Sequence, residues 1–75
     1  MLSNTVVQEL EVNAAGVIPE GYISVFVLNS GAASGTFNGQ TLPAGVAKNF
    51  PFTGRPYGAT SYNATGTTFL ITIFK

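Results

Sequence analysis

Apolar and polar residues alternate along most of this chain with a period of two. In the segment 67–74, TTFLITIF, the alternation puts Phe69, Ile71 and Ile73 on one side of the backbone. A period of two is typical of a β-strand that buries one face, whereas an amphipathic helix repeats about every 3.6 residues. No segment of the sequence has a convincing helical period. The pattern therefore predicts an all-β chain.

Turn residues divide this pattern into short segments. Asn38-Gly39 is the strongest signal, because both central residues of a type I′ hairpin turn need a positive φ. Two Pro and two Gly fall within 51–58, PFTGRPYG, which indicates an irregular connection. We expect strands at 5–12, 22–29, 33–38, 40–42, 46–50, 58–63 and 67–74. This spacing predicts a small antiparallel β-sandwich or barrel of about six to seven short strands, jelly-roll-like or immunoglobulin-like.

The sequence is consistent with one domain and contains no linker. We expect residues 13–75 to form the β-sandwich module and residues 1–12 to form an N-terminal strand or arm. In this arm, Val7, Glu9 and Glu11 fall on one face, and the face that we expect to be buried carries Val6, Gln8, Leu10 and Val12. A strand with one apolar face can add to the sheet of a neighbouring molecule. Strand addition is therefore a hypothesis for this arm.

Most side chains that perform catalysis or bind metals are missing from the sequence. It has no His, no Cys, no Asp and no Trp, and its acidic residues are Glu9, Glu11 and Glu20. A Ser or Thr nucleophile would lack a His base, and a structural zinc ion would lack its usual ligands. A glycosidase pair would have to come from the three Glu, but Glu9 and Glu11 lie on a strand face where charge protects a sheet edge. We expect a non-enzyme with no catalytic residue, no metal and no cofactor.

The small size and low charge of the chain favour association. A chain of 75 residues buries only about 60% of its unfolded surface, which makes a lone domain marginally stable. Disulfides cannot reinforce it, since Cys is absent. Charged residues make up 8% of the sequence, against about 25% in a typical soluble domain. We therefore expect the protein to form a homo-oligomer.

Two classes of partner are disfavoured by the sequence. The net charge is zero, and Lys48, Arg55 and Lys75 are scattered, so a phosphate backbone finds no basic patch. The longest apolar run, residues 22–28, is too short to cross a bilayer. Residues 1–12 also lack the cationic and apolar regions of a signal peptide. We expect no nucleic-acid binding, no membrane span and no signal peptide.

A carbohydrate-binding or adhesion module is the alternative function. Sandwiches bind sugars through exposed aromatic rings and amide side chains. The candidate residues for such a glycan platform are Tyr22, Tyr57, Tyr62, Asn49 and Asn63. The triplet Asn63-Ala64-Thr65 also fits an N-glycosylation site, although turns are generally rich in these residues.

The order of turns from Val17 to Ile73 resembles that of a known class of proteins. The recurring features are a strand that opens after Pro19-Glu20-Gly21, the Asn38-Gly39 hairpin, Leu42-Pro43-Ala44-Gly45 before a short strand that ends at Phe50, then Tyr57-Gly58, and Ala64-Thr65-Gly66-Thr67 before a closing apolar strand. This run is similar to small structural proteins of bacteriophage particles. The resemblance implies a virion component such as a capsid vertex, decoration, head-fibre or tail accessory protein. It would be made in the host cytoplasm and would contact itself, as a trimer or pentamer, and other virion proteins.

Large aromatic side chains are the candidates for the contact surface. Aromatic residues at incompletely covered positions carry much of the binding energy of protein interfaces. On this basis we expect contacts through Tyr22, Phe26, Phe52, Tyr57 and Phe74. For Phe52 and Tyr57 a second interpretation stays open, in which they cap an open end of the sandwich.

Overall fold

The computed structural model describes residues 4–75, and these residues form eight β-strands and no helix. The prediction of an all-β chain is confirmed. Within the described residues no helix has the length and hydropathy that a membrane span requires. The strands are β1 (Val7–Val12), β2 (Ala15–Ile18), β3 (Ser24–Asn29), β4 (Gly35–Phe37), β5 (Gln40–Leu42), β6 (Ala47–Phe50), β7 (Thr60–Asn63) and β8 (Phe69–Phe74).

The strands form two four-stranded sheets that face each other. The first sheet has the order β1-β8-β3-β6, and the second has the order β2-β7-β4-β5. All pairings are antiparallel, and β1 pairs with β8, β2 with β7, β3 with β6, and β4 with β5. The chain therefore resembles one long hairpin that has been rolled into two layers. Of the two predicted architectures, the structure has the sandwich and not the closed barrel.

The structure has one strand more than the sequence predicted. The additional strand is β2, which begins with Ala15 and Gly16 and lies between the predicted strands 5–12 and 22–29. Pairing with β7 holds this stretch extended, from Ala15 opposite Asn63 to Ile18 opposite Thr60. Gly16 is needed here, because a Cβ at this position would collide with the ring of Tyr62. Tertiary pairing thus overrides a weak local preference for strand.

The core lies between the two sheets. In β8 the inward residues Phe69, Ile71 and Ile73 are at most 1% exposed, which confirms the period-two pattern of this segment. Val25 and Val27 of the neighbouring strand β3 lie beside them on the same inner face, and Ile18, Phe37 and Leu42 face this layer from the second sheet. The hairpin prediction is also confirmed, since Asn38 and Gly39 have φ of 52° and 77°.

Asn29 joins the end of β3 to the loops around it. Its side-chain oxygen accepts hydrogen bonds from the Gly31 amide at 3.1 Å and from the Thr67 hydroxyl at 2.7 Å. Its side-chain nitrogen donates to the carbonyls of Ala33 at 2.8 Å and Leu42 at 2.9 Å. All four hydrogen-bonding positions of this buried amide are therefore satisfied. Across residues 4–75, every fully buried side-chain nitrogen or oxygen has a partner.

The N-terminal segment pairs with its own chain. All of β1 lies against β8, and beyond it the Val6 amide donates to the Lys75 carbonyl at 3.0 Å. Leu10 and Val12 are partly buried against the core, as expected, whereas Val6 and Gln8, predicted on the same buried face, are exposed because they lie at the end of an edge strand. The segment expected as a strand or arm at 1–12 is thus an edge strand of this sandwich from Val7 to Val12, and its first three residues lie outside the described residues. Addition of this strand to a neighbour remains a prediction.

Candidate interaction surface

The two outer faces of the sandwich differ in polarity. On the second sheet the outward side chains are mainly hydroxyls and amides, with Ala15 and Val17 as the apolar members. On the first sheet, large apolar side chains lie next to one another on the two central strands, β3 and β8. We call the group Phe26, Leu28, Leu70 and Phe74 the apolar face. We call the outward side of the second sheet the polar face, and its polar residues are Thr36, Thr41, Ser61 and Asn63.

The strand register arranges the outward residues of the first sheet in rows. Across β8 and β3, Leu70 lies opposite Leu28, Thr72 opposite Phe26, and Phe74 opposite Ser24. Phe26 is 42% exposed and Leu70 is 38% exposed, and the other two members of the apolar face are partly buried. Leu28 and Leu70 are directly opposed and in contact range, and Phe26 and Phe74 are diagonal neighbours at a distance that aromatic side chains can span. The apolar face is therefore a continuous patch.

The two edges of this patch carry different side chains. On the β1 side, Glu9 lies opposite Thr72, and Glu11 lies opposite Leu70. On the β6 side, Asn49 lies opposite Phe26, and Ala47 lies opposite Leu28. One row thus reads Glu9-Thr72-Phe26-Asn49, and the next reads Glu11-Leu70-Leu28-Ala47. The β1 side is thus an acidic edge in these two rows, with the exposed Val7 opposite Phe74 in the next row, and the β6 side is an uncharged edge.

An open hollow extends the patch at the end where β8 finishes. It has a volume of about 480 Å³ and is lined by Thr5, Ile23, Ser24, Phe52 and Phe74. Phe52 is 64% exposed and comes from the 51–58 connection. Three of the expected contact residues, Phe26, Phe52 and Phe74, therefore lie on or beside the same surface.

Tyr22 does not belong to this surface. Strict alternation from β3 would put its ring on the outside with Phe26, but the chain bends at Ile23, and the ring turns into the core. Tyr22 is 0% exposed. With no exposed surface for a partner to contact, Tyr22 is a core residue, and we correct its assignment as a contact residue.

Tyr57 also packs inward. Its ring stacks on Tyr22, and its centroid lies 5.5 Å from that of Phe50. Its hydroxyl donates to the Pro51 carbonyl at 2.6 Å. Of the two interpretations of the aromatic residues in the 51–58 connection, Tyr57 fits the capping role, whereas Phe52 remains exposed.

The hydroxyl of Tyr22 lies 2.6 Å from Thr60 Oγ1, and either hydroxyl can be the donor. Thr60 Oγ1 also donates to the Gly58 carbonyl at 3.1 Å. Burial raises the pKa of Tyr22 above its ordinary value, and the proximity of Tyr57 also raises it, while the hydrogen bond to Thr60 acts in the opposite direction. The buried phenol is therefore held in its protonated form.

Leu28 and Leu70 complete the apolar face, and sequence reasoning did not select them. The signal was present, because alternation in TTFLITIF puts Leu70 on the same side as Phe74. They were omitted because contact residues were chosen by aromatic character and not by position on a common face. The register of β3 against β8 is what brings the two leucines together.

The residues of the glycan platform are spread over the molecule. Asn49 faces outward from the first sheet, and Asn63 faces outward from the second. Tyr22 is buried, and the ring of Tyr62 covers Gly16. The structure therefore does not bring the predicted set together on one surface. In the Asn63-Ala64-Thr65 triplet, the Asn63 side chain accepts a hydrogen bond from the Thr65 amide at 2.9 Å.

The charged residues are also dispersed. Glu9 and Glu11 are exposed on β1, and Glu20 is exposed in the turn that precedes Tyr22. Lys48 lies on the inner side of β6, with its Nζ 6.0 Å from the ring centroid of Phe50. Within residues 4–75, no three His, Cys, Asp or Glu side chains are grouped so that they could hold one metal ion.

Comparison of the chain with protein-family models, with curated proteins and with solved structures gave no match.

Proposed function

We propose that this protein is a non-enzymatic structural subunit of a symmetric assembly and that it associates through the apolar face. The observation that carries this proposal is the difference between the two outer faces. Thr41 and Ser61 are typical of the polar face, whereas Phe26 and Leu70 expose apolar surface at the centre of the first sheet. Contiguous exposed apolar patches mark interaction sites on soluble domains.

The strand pairing supports a jelly-roll type of sandwich. In a jelly roll, eight antiparallel strands form two sheets through two Greek keys, an arrangement used in viral capsid and lectin domains. The pairing of each strand with its counterpart from the opposite end of the chain fits this type. Immunoglobulin-like sandwiches divide seven or nine strands differently between their sheets. A fold alone does not define function, so the surface has to discriminate between a structural and a binding role.

We further propose that the assembly is a bacteriophage particle. The resemblance of residues 17–73 to small virion proteins supports this, as does a composition with 8% charged residues. A symmetric particle presents the same neighbour many times, so that a contact of modest strength is repeated. The proposed location is the virion, as a capsid vertex, decoration, head-fibre or tail accessory protein. Its partners would be copies of itself and other virion proteins.

Association would also stabilise the fold. Any partner that binds the folded chain and not the unfolded chain raises its stability by mass action. Covering Phe26 and Leu70 removes apolar surface from water, which contributes about 25 cal/mol for each Å². A small domain without disulfides depends on such a contribution more than a large one does.

Sedimentation equilibrium tests the proposal with a matched pair of variants. Leu70→Ser removes apolar surface from the apolar face, and Val17→Ser removes an apolar side chain from the opposite face that is more exposed, at 59% against 38%. We expect the wild type and Val17→Ser to exceed the monomer mass and Leu70→Ser to shift towards it. A wild-type protein that stays monomeric up to millimolar concentration would contradict the proposal. A monomer that binds a glycan array would favour the carbohydrate-binding alternative.

A further inference from the structure

We infer that the partner of the apolar face is a second copy of this chain, related by a two-fold axis that runs parallel to the strands. This inference rests on the proposed function, since it requires association through that face. It adds the identity of the partner and the orientation of the contact. Both follow from the rows of outward residues on the first sheet.

Two sheets that pack face to face keep their strands roughly aligned. A two-fold axis in the plane of contact can then run along the strands or across them. An axis along the strands puts β1 over the second copy's β6, and β8 over its β3, because the sheet order is β1-β8-β3-β6. Each row of residues then lies over the same row of the second copy. An axis across the strands puts every strand over its own counterpart and exchanges the end rows.

The axis along the strands gives a complementary surface. Phe26 faces Thr72 of the second copy, and Phe74 faces Ser24, so that each large ring lies over a small side chain. In the third row the two leucines face each other, Leu70 over Leu28. Alternation of large and small side chains lets two faces interdigitate at the packing density of a protein core.

The charges favour the same orientation. Along the strands, Glu9 lies over the second copy's Asn49, whose amide can donate a hydrogen bond to the carboxylate. Across the strands, Glu9 would lie over the second copy's Glu9 and Phe26 over Phe26. Like charges that directly oppose each other are destabilising, and more so where water is excluded. The acidic edge on β1 therefore selects the axis along the strands.

The size of the face predicts a weak contact. Three strands of six residues and β6 with four residues, spaced about 4.8 Å apart and rising about 3.4 Å per residue, give a sheet face of about 360 Å². A stable protein interface covers about 800 Å² on each partner. The two-fold contact is thus one of several contacts in the assembly. A trimeric or pentameric ring would require an additional contact surface. Repetition in a symmetric particle raises the effective strength of such a contact.

Cross-linking between single-cysteine variants distinguishes the two axes. The chain has no natural Cys, so each variant reacts at one position. Glu11 and Ala47 lie at opposite ends of one row, and Val7 lies on the same strand as Glu11. With the axis along the strands, Glu11 lies over the second copy's Ala47. With the axis across the strands, it lies over the second copy's Val7.

The reagent is a short bismaleimide that spans about 10 Å, the distance between packed sheets. The first sample is an equal mixture of Glu11→Cys and Ala47→Cys, and the second is an equal mixture of Glu11→Cys and Val7→Cys. The control is Thr41→Cys, whose cysteine lies on the polar face. We expect a shift to twice the monomer mass on a denaturing gel in the first mixture alone. Glu9 is unchanged in all of these proteins, so that the charge that selects the axis is retained.

The remaining outcomes separate this inference from the proposed function. Cross-linking in the second mixture would overturn the two-fold arrangement and leave the structural role intact. The same conclusion would follow if neither mixture cross-links although the wild type is oligomeric and Leu70→Ser is monomeric. A wild-type protein that is monomeric at every concentration would overturn both.

Discussion

The rings of Tyr22 and Tyr57 stack face to face, with their centroids 5.1 Å apart and an angle of 9° between their planes. Two backbone hydrogen bonds accompany the stack, from the Tyr57 amide to the Tyr22 carbonyl at 2.7 Å and from the Gly21 amide to the Tyr57 carbonyl at 2.9 Å. The 51–58 connection is thus fixed to the core at Tyr57. At Phe52 the same connection is exposed, so one part of it supports the fold and another part is free to contact a partner.

Replacement of these two aromatic residues should have different effects on the stability of the monomer. Tyr57→Ala removes the stack on Tyr22, and we expect a loss of about 2 kcal/mol in the free energy of unfolding. Phe52→Ala, at an exposed position, should stay within about 0.5 kcal/mol of the wild type. Urea unfolding at a low protein concentration measures both values. A larger loss for Phe52→Ala than for Tyr57→Ala would contradict the assignment of Tyr57 as the cap.

Tyr22 should give the protein a specific sensitivity to alkaline pH. Its pKa is raised by burial, so the folded chain keeps this proton at a pH where the unfolded chain has released it. The resulting stability is present below the ordinary value of 10.0 and is lost as pH rises through the folded pKa above it. Tyr22→Phe lacks this titration, and at neutral pH it should cost about 0.5–1.5 kcal/mol for the lost hydrogen bond.

The measurement is the urea midpoint as a function of pH, with Tyr62→Phe as the control that keeps the Tyr22 phenol. We expect the midpoints of the wild type and Tyr62→Phe to fall more steeply above about pH 10 than that of Tyr22→Phe. Parallel curves for all three proteins would show that ionisation of Tyr22 is not coupled to unfolding.

Asn29 should tolerate no change of its amide nitrogen. Asn29→Asp preserves the shape but directs a carboxylate at the carbonyls of Ala33 and Leu42, where the amide had donated two hydrogen bonds. We expect a loss of about 3 kcal/mol, part of which is recovered at acid pH, where the carboxyl is protonated. In the control Asn63→Asp, the oxygen that accepts from Thr65 is retained, so the change should be small. Thermal unfolding compares them, and equal losses would contradict the network.

Gly35 should be intolerant of even one methyl group. A Cβ at this position would lie 2.5 Å from Cζ of Phe69 and 2.7 Å from the carbonyl oxygen of Asn63. Gly35→Ala should therefore destabilise the fold by about 1–3 kcal/mol through overpacking. At Gly58 a Cβ would meet no atom of the described residues within 4 Å, so Gly58→Ala is a suitable control with little expected effect. Denaturant unfolding of both variants tests this difference, which similar values would contradict.

Much of the fold could be predicted because it depends on local patterns. The buried side of β8 follows from the alternation of apolar and polar residues, and the hairpin of β4 and β5 follows from Asn38-Gly39. Two features depended on the tertiary structure. The strand β2 begins with two weak β-formers, Ala15 and Gly16, and extends over them because β7 provides a partner, and Tyr22 leaves the alternation of β3 because the chain bends just before that strand.

The candidate surface was harder to predict than the core. Aromatic character alone favours Phe26, Phe52 and Phe74, which lie on or beside one surface, but also Tyr22, which is buried, and Tyr57, which packs inward on it. Alternation alone puts Leu70 on the same side of β8 as Phe74, but its position opposite Leu28 depends on the strand register. A period of two in the sequence defines two faces for each strand. The strand order is needed to show which outward side chains of different strands lie next to one another.

The dependence of the melting midpoint on protein concentration tests most directly whether association completes this fold. If the folded chain is stabilised by covering its apolar face, the midpoint of the wild type should rise steadily with concentration, because association pulls the equilibrium towards the folded form. The midpoint of Leu70→Ser should be nearly constant over the same range, while that of Val17→Ser should follow the wild type. A wild-type midpoint that is high and independent of concentration, together with a monomer mass, would contradict the claim that this fold is completed by association.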